Sequence, residues 1–194
     1  IEPSLDLSSF YVNPIKSIDF GPGLIIEDLI APAALDIVIK NPLPLAGLNI
    51  SAPLATKVEI ATTAVNGPID IAISIDVSGT LSAPALATVQ GDVAITCGSA
   101  NLNNLTVIQG NCAVTANTIS ANNITSITGN LTISSDGVSM PTLETVGGNV
   151  NVTGTSSSTV VDFANLSNVG GETEIEADDV NLNTGQPHNS GGNG

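Results

Sequence analysis

The sequence predicts an all-β chain: a parallel β-solenoid, β-helix-like, with coils of about 19 residues and an extended N-terminal β-arm. Three observations carry that prediction. The segments LATVQGDVAIT, LTVIQGNCAVT, ITSITGNLTIS, LETVGGNVNVT and LSNVGGETEIE align without gaps from Leu86, Leu105, Ile124, Leu143 and Leu166. Their glycines, Gly91, Gly110, Gly129, Gly148 and Gly171, recur at steps of 19, 19, 19 and 23 residues. Apolar residues come as short Val/Ile/Leu runs alternating with polar ones, and no stretch sustains a helical period.

Residues 1–47 lack the repeated phrase and are broken by Pro3, Pro14, Pro22, Pro32, Pro42 and Pro44. Proline fixes φ and cannot donate to a ladder, so this segment reads as an arm of short extended pieces. Residues 48–85 read as degenerate first coils. They hold SAPLATKVEI, a worn copy of the phrase, and IDIAISIDV, in which Ile69, Ile71, Ile73, Ile75 and Val77 share one face. Regular coils follow over 86–183, with a four-residue insertion near SSSTVVDFAN that belongs at a coil corner. The end, 184–194, reads as a flexible polar tail.

Within the phrase L-x-x-V-x-G-N-V-x-V, alternation points Leu105 and Val107 inward with Cys112 and Val114. Ile124, Ile127, Leu131, Ile133, Leu143, Val146, Val150 and Val152 complete the expected core columns. The Gly-Asn pair reads as a bend, because glycine admits positive φ and asparagine tolerates it. Asn111, Asn130 and Asn149, one per coil, also have the spacing of a stacked amide ladder.

The rows LTVIQGN, ITSITGNLTI and LETVGGNVNV resemble the receptor L-domain and the related fungal cell-wall glycoproteins over roughly residues 82–180. That resemblance implies a leucine-rich-like, right-handed β-helix in an extracellular or cell-wall setting. The chain lacks the disulfide-rich caps and aromatic ligand surface of the receptor versions.

Composition bounds the function. Lys16, Lys40 and Lys57 are the only basic side chains and the net charge is −15, which repels phosphate backbones and anionic head groups. No run of about 18 apolar residues reads as a membrane helix. Scarce Lys, abundant Thr and Asn, and a start at Ile1, as after removal of a leader, give an extracellular or cell-surface expectation. Sequons beginning at Asn49, Asn104, Asn123, Asn130, Asn151 and Asn165 are glycosylation candidates under the same expectation.

Catalysis is not expected. The single histidine, His188, stands in the tail, which removes most Ser-His and Cys-His schemes, and no acid pair has sugar-stacking aromatics beside it. No cofactor is called for. The acids Glu172, Glu174, Glu176, Asp178 and Asp179 offer either a hydrated last coil that discourages edge pairing or ligands for calcium. Cys97 lies four residues past the Cys112 column in the preceding coil, about 13 Å along a strand, so reduced thiols are favoured over a disulfide. Phe10, Tyr11 and Phe20 on the arm are the expected assembly interface, docking on a second copy of the chain. The expected function is thus an extracellular structural protein that polymerises with itself, with a cell-surface adhesion or receptor-type module as the alternative and glycans or cell wall as further partners.

Overall fold

A computed structural model describes residues 4–6, 17–20, 28–30, 36–39, 45–73, 79–182 and 189–190. All the regular structure among the described residues is β, and every strand pair is parallel. Three sheets of ten, nine and six strands among the described residues form the faces of one solenoid. A coil runs from the first sheet to the second, then the third, and back. Val93–Thr96, Ser99–Asn101 and Val107–Ile108 make one such circuit before Cys112–Thr115 begins the next.

Register follows the repeat. In the first sheet Val93 pairs with Cys112, Cys112 with Leu131 and Leu131 with Val150, each a step of 19 residues. The next step, Val150 to Thr173, is 23. Its four extra residues fall between Val150–Gly154 and Val160–Phe163, where residues 155–158 are exposed at the corner joining first and second sheets. An insertion there costs little, since a corner has no inward side chain to displace.

The core is a set of aliphatic columns. Val93, Cys112, Leu131 and Val150 form one, and Ile95, Val114, Ile133 and Val152 the next, all buried. Ala100, Ile119, Val138 and Val161 line the second sheet, and Val89, Ile108, Ile127 and Val146 the third. Burying a Val, Leu or Ile contributes roughly 1.5–3 kcal/mol, so repetition of these columns is the main stabilising force. Val107 departs from expectation: it is half-buried on the outer side, and Ile108 faces the core instead. Leu105 fills a corner, and the three-residue interval from Leu105 to Ile108 spans a bend, so strict alternation does not apply across it.

The described pieces of the N-terminal segment belong to the same stack. Ser4–Asp6 pairs with Asp28–Ile30, which pairs with Leu48–Ala52; Ser17–Phe20 pairs with Asp36–Ile39, which pairs with Lys57–Ile60. Leu29, Ile37 and Ile39 are buried. An apolar segment gains by covering its own first coil, and steps of 24 and 21 residues let it do so without the Gly-Asn phrase. At the other end Asn189–Ser190, in the segment expected as a tail, pairs with Glu174–Ile175.

Candidate functional site

The chemistry on this surface is concentrated at two corners and on the outer faces between them. At the corner joining third and first sheets, asparagine carboxamides form a continuous ladder. Asp92 Oδ1 accepts from the backbone N–H of Asn111 at 2.7 Å and from its Nδ2 at 3.1 Å. Asn111 Oδ1 accepts likewise from Asn130 N at 2.9 Å and Nδ2 at 3.1 Å. Asn130 Oδ1 then accepts from Asn149 N, and Asn149 Oδ1 from Glu172 N, both at 2.8 Å. The glycines beside the ladder add their own run, each of Gly129, Gly148 and Gly171 donating to the glycine one coil earlier at 3.0 Å.

This geometry corrects the reason for the glycines. None of Gly91, Gly110, Gly129, Gly148 and Gly171 takes the left-handed backbone. A Cβ on Gly129 would instead lie 2.6 Å from Asn111 Oδ1 and 2.8 Å from the backbone of Gly110. Close stacking of coils, with a carboxamide where a side chain would sit, is what requires glycine.

A second ladder runs along the corner joining second and third sheets. Asn103 Oδ1 accepts from Ser120 Oγ at 2.8 Å and Asn122 N at 3.0 Å, and Asn122 Oδ1 from Ser139 Oγ at 2.9 Å. The next residue in each doublet, Asn104 or Asn123, is exposed. Hydroxyls two residues further on tie neighbouring coils: Thr106 Oγ1 donates to the Ala87 carbonyl at 2.8 Å, Thr125 Oγ1 to Thr106 O at 3.2 Å and Ser167 Oγ to Glu144 O at 3.3 Å.

All six sequon asparagines are exposed. Asn104, Asn123 and Asn165 occupy equivalent places on the second-to-third corner, each before an inward Leu105, Ile124 or Leu166. Asn49 and Asn151 point outward from the first sheet, and Asn130 is a rung of the first ladder.

The five acids do not converge. Glu174 and Glu176 point outward on either side of buried Ile175, the Glu172 N–H caps the ladder, and Asp178 Oδ2 accepts from Thr159 N at 2.8 Å. Asp179 opens the strand Asp179–Leu182. Among the described residues no three His, Cys, Asp or Glu side chains are grouped to hold a metal ion. Phe10 and Tyr11 lie outside the described residues, as does His188, and Phe20 enters through its backbone alone, paired with Ile39.

Cys97 and Cys112 are both free and buried. Burial pushes the Cys112 thiol up to about 12; it also raises Cys97, to about 11, against the lowering effect of backbone hydrogen bonds with Leu81 and Ser99. The thiols fold in neutral form. Their contribution to stability is complete below the ordinary value of 9.0 and falls as pH rises from there through 11 and 12.

No family model, curated protein or solved structure matches the chain. What can be argued about function therefore comes from the molecule itself.

Proposed function

We propose that the chain is an extracellular structural protein, the protomer of a self-assembling filament or of a cell-wall or surface layer. One observation carries this reading: the outer faces of the central coils are small, uncharged and repeated. On the first sheet they present Ala94 and Thr96, Ala113 and Thr115, Thr132 and Ser134, then Asn151 and Thr153. On the second they present Ser99 and Asn101, Thr118 and Ser120, then Gly137 and Ser139. Flat faces of this kind admit a neighbouring rod without stranding a charge, and the sheet edges at the two ends offer backbone groups to further copies.

The likeness of the L-x-x-V-x-G-N-V phrase to cell-wall glycoproteins supports the setting. The same phrase, through its likeness to the receptor L-domain, supports the second reading of a cell-surface adhesion module that uses one flat face. Both are non-enzymatic, in keeping with a chain whose single histidine is His188.

Electron microscopy with sedimentation velocity over rising protein concentration separates them. Filaments or sheets that grow with concentration are expected; monomers that stay dispersed throughout would overturn the structural reading in favour of the module.

A further inference from the structure

We infer that the corner joining second and third sheets is an N-glycosylation edge, with acceptors at Asn104, Asn123 and Asn165, and that the Asn130 sequon is a ladder rung and not an acceptor. The inference rests on the extracellular reading above, which supplies passage through a secretory compartment.

The first argument is division of labour within the asparagine doublets. Asn103 and Asn122 supply the carboxamides that tie the corner together, so the fold does not require a second amide at 104 or 123. Thr142 stands at the equivalent place in the next coil, on the same kind of turn before the same inward column, with Leu143 fully buried. The turn forms without asparagine.

The second argument is co-occurrence. Wherever this edge carries asparagine, a hydroxyl follows two residues later: Thr106, Thr125 and Ser167. Where Ala85 or Thr142 replaces the asparagine, that later position becomes Ala87 or Glu144. One coil earlier Thr63 follows Ala61, so a hydroxyl stands here without asparagine, but asparagine never without the hydroxyl. The ladder column behaves differently. Asn111, Asn130 and Asn149 are followed at the same distance by Ala113, Thr132 and Asn151, with no such coupling. A pair read together by a glycosyltransferase leaves the first pattern, and a rung selected for its own hydrogen bonds leaves the second.

The third argument is the state of each amide. Transfer from a lipid-linked glycosyl diphosphate forms a bond between Nδ2 and the anomeric carbon. The carbon–oxygen bond to diphosphate breaks with its electron pair, and one Nδ2 proton is lost to base. Asn123 and Asn165 present exposed carboxamides, and Asn104, whose Nδ2 donates to the Pro84 carbonyl, keeps a second hydrogen for that bond after transfer. Asn130 is held at both ends, donating to Asn111 Oδ1 and accepting from Asn149 N, with stacked carboxamides directly above and below. A sugar on its Nδ2 would have to stand between coils spaced about 4.8 Å apart.

The full chain, directed by a cleavable leader into the secretory pathway of a eukaryotic host, gives the test. Glycans are removed by an amidase in heavy-oxygen water and each site is read by peptide mass spectrometry. Labelling at Asn104, Asn123 and Asn165 with none at Asn130 is expected. Asn130 labelled as fully as the edge, or an unlabelled edge, would overturn the inference. Two variants guard against a folding artefact. Asn123→Gln should lose the mass of one glycan from the secreted chain, whereas Asn130→Gln should keep the full glycan mass and melt at a lower temperature; a glycan lost from Asn130→Gln also overturns the inference. Bare protein from the native source beside a glycosylated directed chain would instead sink the extracellular reading and leave the edge standing.

Discussion

The central coils and the N-terminal coils reach one cross-section by different means. From Val93 to Thr153 each coil repeats at 19 residues and is tied to the next by the ladder from Asp92 to Glu172. Before Ile73 the steps are 24, 21 and 21, and the ladder positions hold Pro68 and Gly47-Leu48 in place of Gly-Asn. Yet Leu48, Ile69 and Val93 continue one inward column, and Ile50, Ile71 and Ile95 the next. The aliphatic columns therefore set the cross-section, and the Gly-Asn corner sets the length of the step.

If that division is right, the two regions respond alike to core damage. Ile127→Ala and Ile50→Ala each remove a side chain at most 1% exposed, and each is expected to cost about 2–5 kcal/mol. Chemical denaturation of the two variants measures this. Because each coil contacts only its neighbours, hydrogen exchange should place the damage around the substituted coil. A near-neutral Ile50→Ala would break the comparison, since the N-terminal coils would then lack a working core.

Corner glycines should separate the regions. At Gly129 an added Cβ meets Asn111 Oδ1 at 2.6 Å and backbone atoms at 2.8 Å, none of which can swing aside. Gly129→Ala is expected to cost about 1–3 kcal/mol. At Gly47 the nearest atom is the Pro68 carbonyl oxygen at 3.5 Å, an ordinary contact, and the backbone is not left-handed. Gly47→Ala should be neutral or stabilising by up to about 1 kcal/mol, because alanine narrows the unfolded ensemble. Equal losses at both glycines, in a thermal or urea titration, would mean that the corner is built the same way throughout.

The same contrast explains what the sequence disclosed. Five aligned rows made the parallel coils legible, because a 19-residue identity of apolar spacing has few other physical causes. The ladder was legible at Asn111, Asn130 and Asn149 but not at its ends. Asp92 and Glu172 occupy the same column and keep a side-chain oxygen, and chemical likeness at that position was the signal available. Val107 was misplaced because a bend and a strand leave similar apolar spacings. The place of the N-terminal strands was hidden for a different reason: prolines and steps of 24 and 21 conceal a repeat whose only trace is alternation in runs such as LDIVIK. Of the surface, the sequons could be read directly, but which amides were already spent on holding coils together could not.

Removing a single rung tests the ladder with a smaller effect. Asn130→Ala deletes the donor to Asn111 Oδ1 and the acceptor for Asn149 N, at a corner that water reaches. A loss of about 1 kcal/mol is expected, the low end of the range for an orphaned polar group. The Asn149 amide should exchange faster while amides of the N-terminal coils keep their rates. Unchanged exchange at Asn149 would show that water replaces the carboxamide fully, and that glycine stacking alone sets the 19-residue step.

The smallest effect is expected on the outer face. Thr132 is exposed in the middle of the first sheet, between Ala113 and Asn151, and its side chain points away from the core. In dilute solution Thr132→Ala should change stability by no more than about 0.5 kcal/mol, as surface substitutions usually do. Thr132→Lys places a charge on a face that otherwise carries small neutral groups from Ala94 to Thr153. On a lone solenoid the charge stays in water at little cost. Between packed rods it must be desolvated without a partner. Thr132→Lys should therefore leave the dilute unfolding midpoint near that of the parent chain and raise the protein concentration at which sedimentation first detects assembly. A raised threshold with an unchanged midpoint would place the first sheet in the contact between copies, and an unchanged threshold would move that contact to another face or to the ends.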